Sequence, residues 1–380
     1  MKIKIDNNGY AATTPKLIKG GVGYMHSCLS KGIKEKMTHS NTTIYVNGVL
    51  YCIYIFDEVT TLEWKQPTAG IRLSAKSTIS GITEFYDVAT SNAVIGNLTI
   101  DNYPPYDPNL VVSEDKKFLL CYFVVKPNTT HKETVCYRKY DLEKQELLDE
   151  VTICKLDGET FTDEKACSVY NSLTEKNATM YEMNMSCTIT KFSDGYYYTG
   201  VGGDGGFGFG GIVVRTKDFI NWDTITQVTA PRDDTRCTEL AVFEDDNHRM
   251  LIAVRYHNMG IYYGVYHNNS WVVSPSVIRG TICTRPEFFK YEGNIYLSVC
   301  VNGPITTEGY GTVERATLGI FKVVGDRVEL NTKLQCKYGI HYQKALVIDG
   351  DLFLAYSTDE RMLDASQARS NIAFDRIVVE

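Results

Sequence analysis

The stretch Gln343-Lys-Ala-Leu-Val-Ile-Asp-Gly-Asp-Leu-Phe-Leu-Ala-Tyr356 joins two runs of strand-forming residues through an Asp-Gly turn. A turn of this kind between two β-rich runs is a strong local signal for a hairpin. The unit recurs along the chain at residues 43–54, 108–122, 187–200, 238–255, 285–299 and 343–356. Each copy is followed by a further β-rich run, at residues 70–75, 134–140, 211–216, 261–266, 316–323 and 371–377.

This repeat has a period of about 60 residues, the size of a propeller blade with three or four strands. Each small sheet of such a fold buries its faces only against its neighbours. The sequence therefore predicts an all-β fold, a six-bladed β-propeller that forms a single domain over residues 1–380. Because the last repeat ends on a third strand, we expect the N-terminal segment 2–5 to close the last blade. A β-sandwich and two separate β domains are the alternatives.

Helical periodicity is nearly absent from the sequence. Three short stretches are the candidates for helices: residues 31–37, the charged segment 141–148 and residues 362–368. None of them is long, so helices contribute little to the predicted fold.

Composition and charge restrict the possible partners. The hydrophobic fraction of 43% and charged fraction of 22% are typical of a folded globular protein. A net charge of −7 without charge blocks argues against a nucleic-acid binder or a polybasic membrane-surface protein. The 11 cysteines are scattered, with no CxxC, so they favour a reduced interior. The sequence shows no secretory signal and no membrane span, so we expect a cytoplasmic protein.

The segment Arg215-Thr-Lys-Asp-Phe-Ile-Asn-Trp222 follows a predicted strand. It resembles the Asp-box turn of the sialidase superfamily of BNR-repeat propellers. The resemblance implies a structural role, in which Asp218 accepts N–H groups of the turn and Trp222 packs beneath it.

The C-terminal half resembles the same superfamily in the order of its polar residues. Glu239 and Arg255 stand where the family has the Glu that polarises a nucleophilic Tyr and an Arg that binds a substrate carboxylate. Arg315 matches the family's third Arg. Tyr342, or else Tyr338, matches the nucleophile by its spacing from the Asp-Gly turn. The resemblance implies attack by a neutral Tyr, because an anionic sugar repels a carboxylate.

The first Arg of that family is missing here. The matching stretch reads Thr38-His-Ser-Asn-Thr-Thr-Ile-Tyr45. The region also offers Asp57 and Asp87, in predicted loops, as positions for the acid/base residue. The missing Arg suggests a substrate other than an ordinary terminal sialoside.

Two further segments, at the starts of predicted hairpins, carry candidate groups for glycoside hydrolysis. Tyr106-Asp-Pro-Asn109 and Thr284-Arg-Pro-Glu287 begin the second and fifth hairpins, and they resemble the openings of five-bladed arabinanase-like enzymes. Asp107 is then a candidate acid or base, and Arg285 and Glu287 are candidate substrate-binding residues. The alternatives are a turn-capping role for Asp107, a strand residue paired with a neighbouring Arg for Glu287, and buried Arg ion pairs for Arg255 and Arg285.

The glycine-rich stretch Gly203-Asp-Gly-Gly-Phe-Gly208 matches GxGxxG, but a strand follows it and not a helix, so phosphate binding is not indicated. Phe207 and Phe209 are candidates for stacking on a sugar. The seven His residues show no metal-ligand spacing, and the sequence indicates no cofactor.

These patterns favour a glycan-acting propeller, a glycoside hydrolase with its site in a central funnel and a carbohydrate as its partner. The alternative is a non-catalytic carbohydrate-binding or scaffold propeller within a larger complex, for example a phage or virion component. In that case the protein would be located in the virion.

Overall fold

The computed structural model describes residues 3–5, 27–30, 35–60, 67–204, 206–229, 235–257, 259–267, 270–279, 284–301, 305–307, 311–313, 315–335, 339–360 and 369–379. The strands of the N-terminal half are β1 (Ile3–Ile5), β2 (Ser27–Cys28), β3 (Met37–Val46), β4 (Val49–Asp57), β5 (Gly70–Ser77), β6 (Thr83–Thr90), β7 (Val94–Ile95), β8 (Leu98–Thr99), β9 (Tyr106–Val112), β10 (Phe118–Val125), β11 (Thr134–Asp141), β12 (Glu146–Ile153), β13 (Lys155–Leu156), β14 (Glu159–Thr160), β15 (Glu182–Asn184) and β16 (Thr190–Lys191).

The remaining strands are β17 (Tyr197–Asp204), β18 (Ile212–Thr216), β19 (Asn221–Gln227), β20 (Cys237–Glu244), β21 (Met250–Tyr256), β22 (Gly260–His267), β23 (Ser270–Arg279), β24 (Glu287–Tyr291), β25 (Asn294–Val301), β26 (Ile305–Thr307), β27 (Gly311–Val313), β28 (Thr317–Val324), β29 (Arg327–Gln335), β30 (His341–Ile348), β31 (Asp351–Glu360) and β32 (Arg369–Val379). A helix, α1 (Asp163–Thr174), lies between β14 and β15. The described residues are therefore predominantly strand, as predicted.

The chain divides into two compact units. Unit 1 comprises Met1–Thr90, Ile282–Val323 and Val328–Glu380, and unit 2 comprises Ser91–Thr281 and Val324–Arg327. The single domain expected over residues 1–380 stays a prediction.

Unit 1 contains antiparallel sheets whose strands follow one another in chain order: β3-β4-β5-β6, β24-β25-β28-β29 and β30-β31-β32. Alternate apolar residues of β4, from Leu50 to Phe56, pack with Leu346, Phe353 and Phe374 of the last sheet. This period of two is what places one face of a strand in the core. The Phe353 and Phe374 rings stack with their centroids 5.1 Å apart.

The N-terminal strand completes the last sheet of unit 1. β1 pairs antiparallel with β32, with Ile3 opposite Val379 and Ile5 opposite Ile377. The prediction that the N-terminal segment supplies the outer strand of the last repeat is thus confirmed.

Unit 2 contains the sheets β9-β10-β11-β12 and β20-β21-β22-β23, and a seven-stranded sheet built around β17, β18 and β19. Tyr198 and Val213 of the seven-stranded sheet pack against Leu240, Ile252 and Val254 of the sheet that follows it. Burial of these apolar side chains is the main favourable contribution to the packing of one sheet on the next.

All six predicted hairpins and the six strands predicted to follow them are present. In the β3–β4 hairpin, Asn47 and Gly48 have φ values of 49° and 82°, and in β30–β31, Asp349 and Gly350 have values of 51° and 85°. Both pairs lie in the left-handed region that two-residue hairpin turns require.

The helix predictions were wrong where the structure tests them. Residues 141–148 form the end of β11, a turn at 142–145 and the start of β12, and the Asp141 carboxylate accepts the N–H groups of Glu143 and Lys144 in that turn. The observed helix, α1, begins after Thr162, whose hydroxyl accepts the N–H of Lys165. Residues 362–368 and most of 31–37 lie outside the described residues. In the described part of the chain, no helix is long and apolar enough to span a membrane.

Candidate functional site

Tyr342 lies near the start of β30, at a bulge where residues 342 and 343 together face one residue of β31. Its φ of 50° lies in the left-handed region that non-glycine residues seldom adopt. Ser40 in β3 and Asp107 in β9 have φ values of 49° and 50° at bulges of the same kind. Such residues cost about 1–3 kcal/mol each and cluster at functional sites.

The ring of Tyr342 is buried among basic and polar side chains of unit 1. The His39 ring meets it edge-on, with centroids 4.1 Å apart. The guanidinium carbons of Arg285 and Arg315 lie 5.7 and 5.9 Å from its centroid. Guanidinium groups at this range are attracted to an aromatic ring. The structure thus brings three predicted residues together, Tyr342, Arg285 and Arg315, and adds His39.

Arg285 has a clear positioning role in this cluster. Its Nη2 donates to the carbonyl oxygens of Asn41, Tyr342 and Gln343 at 2.7, 3.2 and 3.2 Å. Among the described residues, the buried guanidinium therefore binds backbone carbonyl groups. It joins β3 to β30 beside the Tyr342 ring.

Glu287, the predicted substrate-binding acid, is 1% exposed and forms an ion pair with Lys344 of β30. It is therefore a strand residue with a basic neighbour, as the alternative interpretation held, although the partner is a Lys and not an Arg. Tyr338, the second candidate nucleophile, lies outside the described residues.

The acids of the first repeat have structural partners. Asp57 ends β4, and its carboxylate accepts the N–H groups of Val59 and Thr60. Asp87 lies within β6, not in a loop as predicted, and pairs with Arg72 at 2.6 Å. Arg72 also pairs with the buried Glu35 at 2.5 Å. These contacts account for Asp57 and Asp87 without a catalytic role.

In unit 2, Glu239 lies near the start of β20 and is 1% exposed. Its Oε2 accepts from Nη1 of Arg255 at 3.1 Å, across the β20–β21 hairpin. The backbone of β17 approaches closely here, since a Cβ on Gly202 would lie 2.5 Å from the carbonyl oxygen of Thr238. Arg255 thus takes part in an ion pair, as its alternative interpretation held, and the pair lies within one sheet.

Three more polar residues lie beside this pair. Arg236 precedes β20, and its Nε lies 2.8 Å from Oδ1 of Asp204. His257 follows β21 and donates its backbone N–H to the Arg236 carbonyl oxygen at 3.1 Å. Burial, followed by the charges of Arg236 and Arg255, lowers the pKa of His257, whereas Asp204 raises it. The imidazole is therefore neutral at pH 7 and offers one donor and one acceptor.

Three of these residues, Arg236, Asp204 and His39, were not among the site residues predicted from the sequence. A signal for Arg236 was present, because it stands immediately before the first strand of its sheet, much as Arg285 stands just before β24. His39 lies in the stretch where the family's first Arg was expected.

Asp107 is buried in β9, and its carboxylate binds the next sheet. Oδ2 accepts the N–H of Met185 at 3.0 Å, and Oδ1 lies 3.4 Å from Nδ2 of Asn184. Asn184 in turn pairs with Gly202 in the β15–β17 ladder. A capping role accounts for the hydrogen bonds of both carboxylate oxygens of Asp107. A role of Asp107 in acid/base chemistry stays a prediction.

The glycine-rich stretch places its two aromatic residues differently. Phe209 is fully buried against Tyr170, with ring centroids 4.7 Å apart, so the expectation that it stacks on a sugar was wrong. Phe207 is 62% exposed. The Asp218 carboxylate accepts the N–H groups of Ile220 and Asn221, and Trp222 is buried, which agrees with a structural turn.

Eight cysteines lie among the described residues as free thiols, and all except the half-buried Cys167 are buried. In the same residues, no group of three or more His, Cys, Asp and Glu side chains could hold a metal ion.

The fold resembles that of solved sialidases. A mutant of Trypanosoma rangeli sialidase displaying trans-sialidase activity is 12% identical, with a TM-score of 0.61 over 96% of this chain and 57% of that one. A Hadza microbial sialidase is 13% identical, with a TM-score of 0.62 over 93% and 69% of the two chains. A protein of unknown function from Dyadobacter fermentans is 10% identical, with a TM-score of 0.62 over 96% and 100%.

This chain spans just over half the length of the trypanosomal sialidase. No family model and no curated protein matches the sequence. At these identities the likeness establishes the fold alone, an all-β arrangement of the β-propeller type. The number of blades, expected to be six, stays a prediction.

Proposed function

We propose that this protein acts on glycans as a glycoside hydrolase of the sialidase type, with Tyr342 as the nucleophile. The observation that carries the proposal is the Tyr342 cluster. A buried tyrosine stands at a left-handed bulge, between the edge of His39 and the guanidinium groups of Arg285 and Arg315. The number of nearby cations exceeds what packing of a tyrosine requires.

The chemistry of this cluster suits an anionic sugar. A neutral phenol approaches such a substrate without the repulsion that a carboxylate would meet, and a neighbouring base removes its proton. On the resemblance to the sialidase superfamily, Glu239 of unit 2 is proposed as a second residue that hydrolysis requires. Arg315 is the arginine proposed to bind the acidic group, since Arg285 already binds three backbone carbonyls.

The substrate is proposed to differ from an ordinary terminal sialoside. Three arginines hold the sialic acid carboxylate in the family that the sequence resembles. Here His39 occupies the stretch that would supply the first of them, and an imidazole lacks the planar fork with which a guanidinium binds a carboxylate at two points.

A non-catalytic glycan-binding protein is the second candidate, and a specific observation favours it. Glu239, Glu287 and Asp107 each have a fixed protein partner: Arg255, Lys344 and the backbone of Met185. Paired carboxylates of this kind suit a rigid binding surface. Assembly into a larger complex, and a virion rather than a cytoplasmic location, belong to this second proposal.

The test is the release of aryl alcohol from a panel of sialoside, arabinoside, fucoside and rhamnoside substrates. We expect the wild type to hydrolyse one of them, with kcat at least about 100-fold lower in Tyr342→Phe and in Glu239→Gln. Tyr296→Phe is the matched control, because Tyr296 is a buried tyrosine packed on Phe289, and its activity should equal that of the wild type. If the folded wild type hydrolyses none of these substrates, the non-catalytic glycan-binding function is favoured instead.

A further inference from the structure

Two exposed aromatic side chains lie in adjacent segments of unit 2. Tyr181 is 63% exposed and Phe207 is 62% exposed, although most large aromatic residues of the described chain are buried. Their segments are hydrogen-bonded to each other. The N–H of Thr179 donates to the carbonyl oxygen of Phe207 at 3.0 Å, and the N–H of Tyr181 donates to that of Asp204 at 3.2 Å. Backbones joined in this way lie about 5 Å apart.

The backbone under these two rings is held firmly. The hydroxyl of Thr179 also accepts the N–H of Phe207 at 3.2 Å. A Cβ on Gly206 would lie 1.7 Å from the Thr179 carbonyl oxygen, so only glycine permits this approach of the two segments. The rings therefore project from a preorganised support, and a ligand that stacks on them loses little free energy in ordering the protein.

Polar groups border the aromatic pair on the side toward Glu239. Asp204, which binds the Tyr181 segment through its carbonyl oxygen, forms the ion pair with Arg236 at 2.8 Å. The Asp204 side chain is 40% exposed and can still accept hydrogen bonds from solvent. From Asp204, strand β17 runs back to Gly202, whose backbone lies against Thr238 and Glu239. The aromatic pair is thus connected through β17 to the backbone beside the buried Glu239.

We propose that Tyr181 and Phe207 form a carbohydrate subsite that stacks on one pyranose residue of a longer glycan. A pyranose ring has a C–H face that stacks on aromatic rings and an edge of hydroxyls that hydrogen-bond to carboxylate and guanidinium groups. Ligand sites combine apolar walls with a few fixed polar groups in this way. The proposal rests on the glycan-acting function proposed above, and it implies that the natural substrate is an oligosaccharide.

The test measures binding and hydrolysis separately. Ligand-observed NMR with 3′-sialyllactose, lactose and maltotriose reports binding to the wild-type chain without any turnover. We expect at least one of the three to bind, with about tenfold weaker affinity in Phe207→Ala and in Tyr181→Ala, and with affinity retained in Phe207→Trp. Leu173→Ala is the control, since Leu173 is a similarly exposed apolar residue on α1. It should bind like the wild type.

Hydrolysis of an aryl monosaccharide is measured for the same variants, and Leu173→Ala should hydrolyse it like the wild type. Binding that responds to these variants in a protein without hydrolase activity would support the subsite and reject the hydrolase. The subsite is overturned if none of the three sugars binds, or if both alanine variants bind like Leu173→Ala.

Discussion

The side chain of Asn41 donates a 2.7 Å hydrogen bond from Nδ2 to the backbone carbonyl oxygen of Tyr342, 301 positions further along the chain. A side-chain amide donates to a distant backbone carbonyl oxygen in the same way at two other places. Gln343 donates to the Ser298 carbonyl oxygen at 2.9 Å, and Asn109 donates to that of Cys187 at 2.6 Å. In each case an amide beside a bulge binds backbone that lies outside its own sheet and within its own unit. These amides hold the strained bulges in place.

Replacement of Asn41 by Ala should therefore disturb Tyr342 specifically. We expect a loss of about 1–3 kcal/mol in the free energy of unfolding, since a buried carbonyl oxygen loses a donor. The hydrolysis that depends on Tyr342 should fall as well. Urea denaturation and the aryl glycoside assay measure the two effects. Asn109→Ala is the matched control, expected to lose similar stability while its activity per folded molecule is retained. Equal activity losses in both variants would contradict a specific role for Asn41.

Stability should decrease with rising pH because of Asp375. Burial raises the pKa of this carboxyl from 3.8 to about 7. Oδ2 accepts from the Tyr356 hydroxyl at 2.6 Å, and Oδ1 has no hydrogen-bond partner among the described residues. Since the folded state binds the proton more tightly than the unfolded chain, this contribution is present below about pH 4 and is lost as the pH rises to about 7. The loss is on the order of 4 kcal/mol.

Asp375→Asn should abolish this dependence. At pH 8 the variant should unfold at a higher urea concentration than the wild type, and at pH 4 the two midpoints should nearly coincide. A variant that is less stable than the wild type at pH 8 would show that the carboxylate has a favourable partner.

The Glu287–Lys344 ion pair predicts a different pattern of stability among single and double variants. Lys344→Met leaves a buried carboxylate without its cation and should cost about 3–5 kcal/mol. The double variant Glu287→Gln/Lys344→Met should recover most of that loss, because no buried charge remains. Chemical denaturation of the four proteins gives the coupling free energy of the pair. A double variant as unstable as Lys344→Met would mean that packing, and not charge, causes the loss.

The turn at Asp218 should affect stability alone. Its carboxylate accepts two backbone N–H groups and the Asn221 side chain. Asp218→Ala should therefore lower stability by about 1–2 kcal/mol while kcat on the aryl substrate is unchanged. A fall in kcat without a change in the unfolding midpoint would give Asp218 a functional role instead.

The hairpins could be predicted from the sequence because each turn contains residues that adopt positive φ, as at Asn47-Gly48 and Asp349-Gly350. Alternation of buried and exposed residues then set the faces of the strands. Helix α1 could not be predicted in this way, because it buries only Ala166 and Tyr170 and so lacks a hydrophobic stripe.

Part of the site could also be predicted from the sequence. Arg315 and Tyr342 were selected from motif order and Arg285 from the opening of the fifth hairpin, and both arginines lie beside the Tyr342 ring. The partners of Asp107 and Asp87 were not predictable, because hydrogen bonds to Met185 and Arg72 depend on which strands become neighbours. Phe209 and Phe207 stand two positions apart in one glycine-rich stretch, and no local pattern indicates which ring enters the core.

Ser40, Asp107 and Tyr342 each lie at a β-bulge of the same kind. These bulges have a consequence for how this protein can be altered. Their backbone is nearly the same whether the residue is a small alcohol, an acid or a phenol. The neighbouring amide, not the residue at the bulge, secures the turn of the chain. Each of these three repeats therefore has a bulge position whose side chain can be exchanged without shifting the register of its sheet. A designer could install a new nucleophile or acid at Ser40 and leave the rest of that sheet untouched.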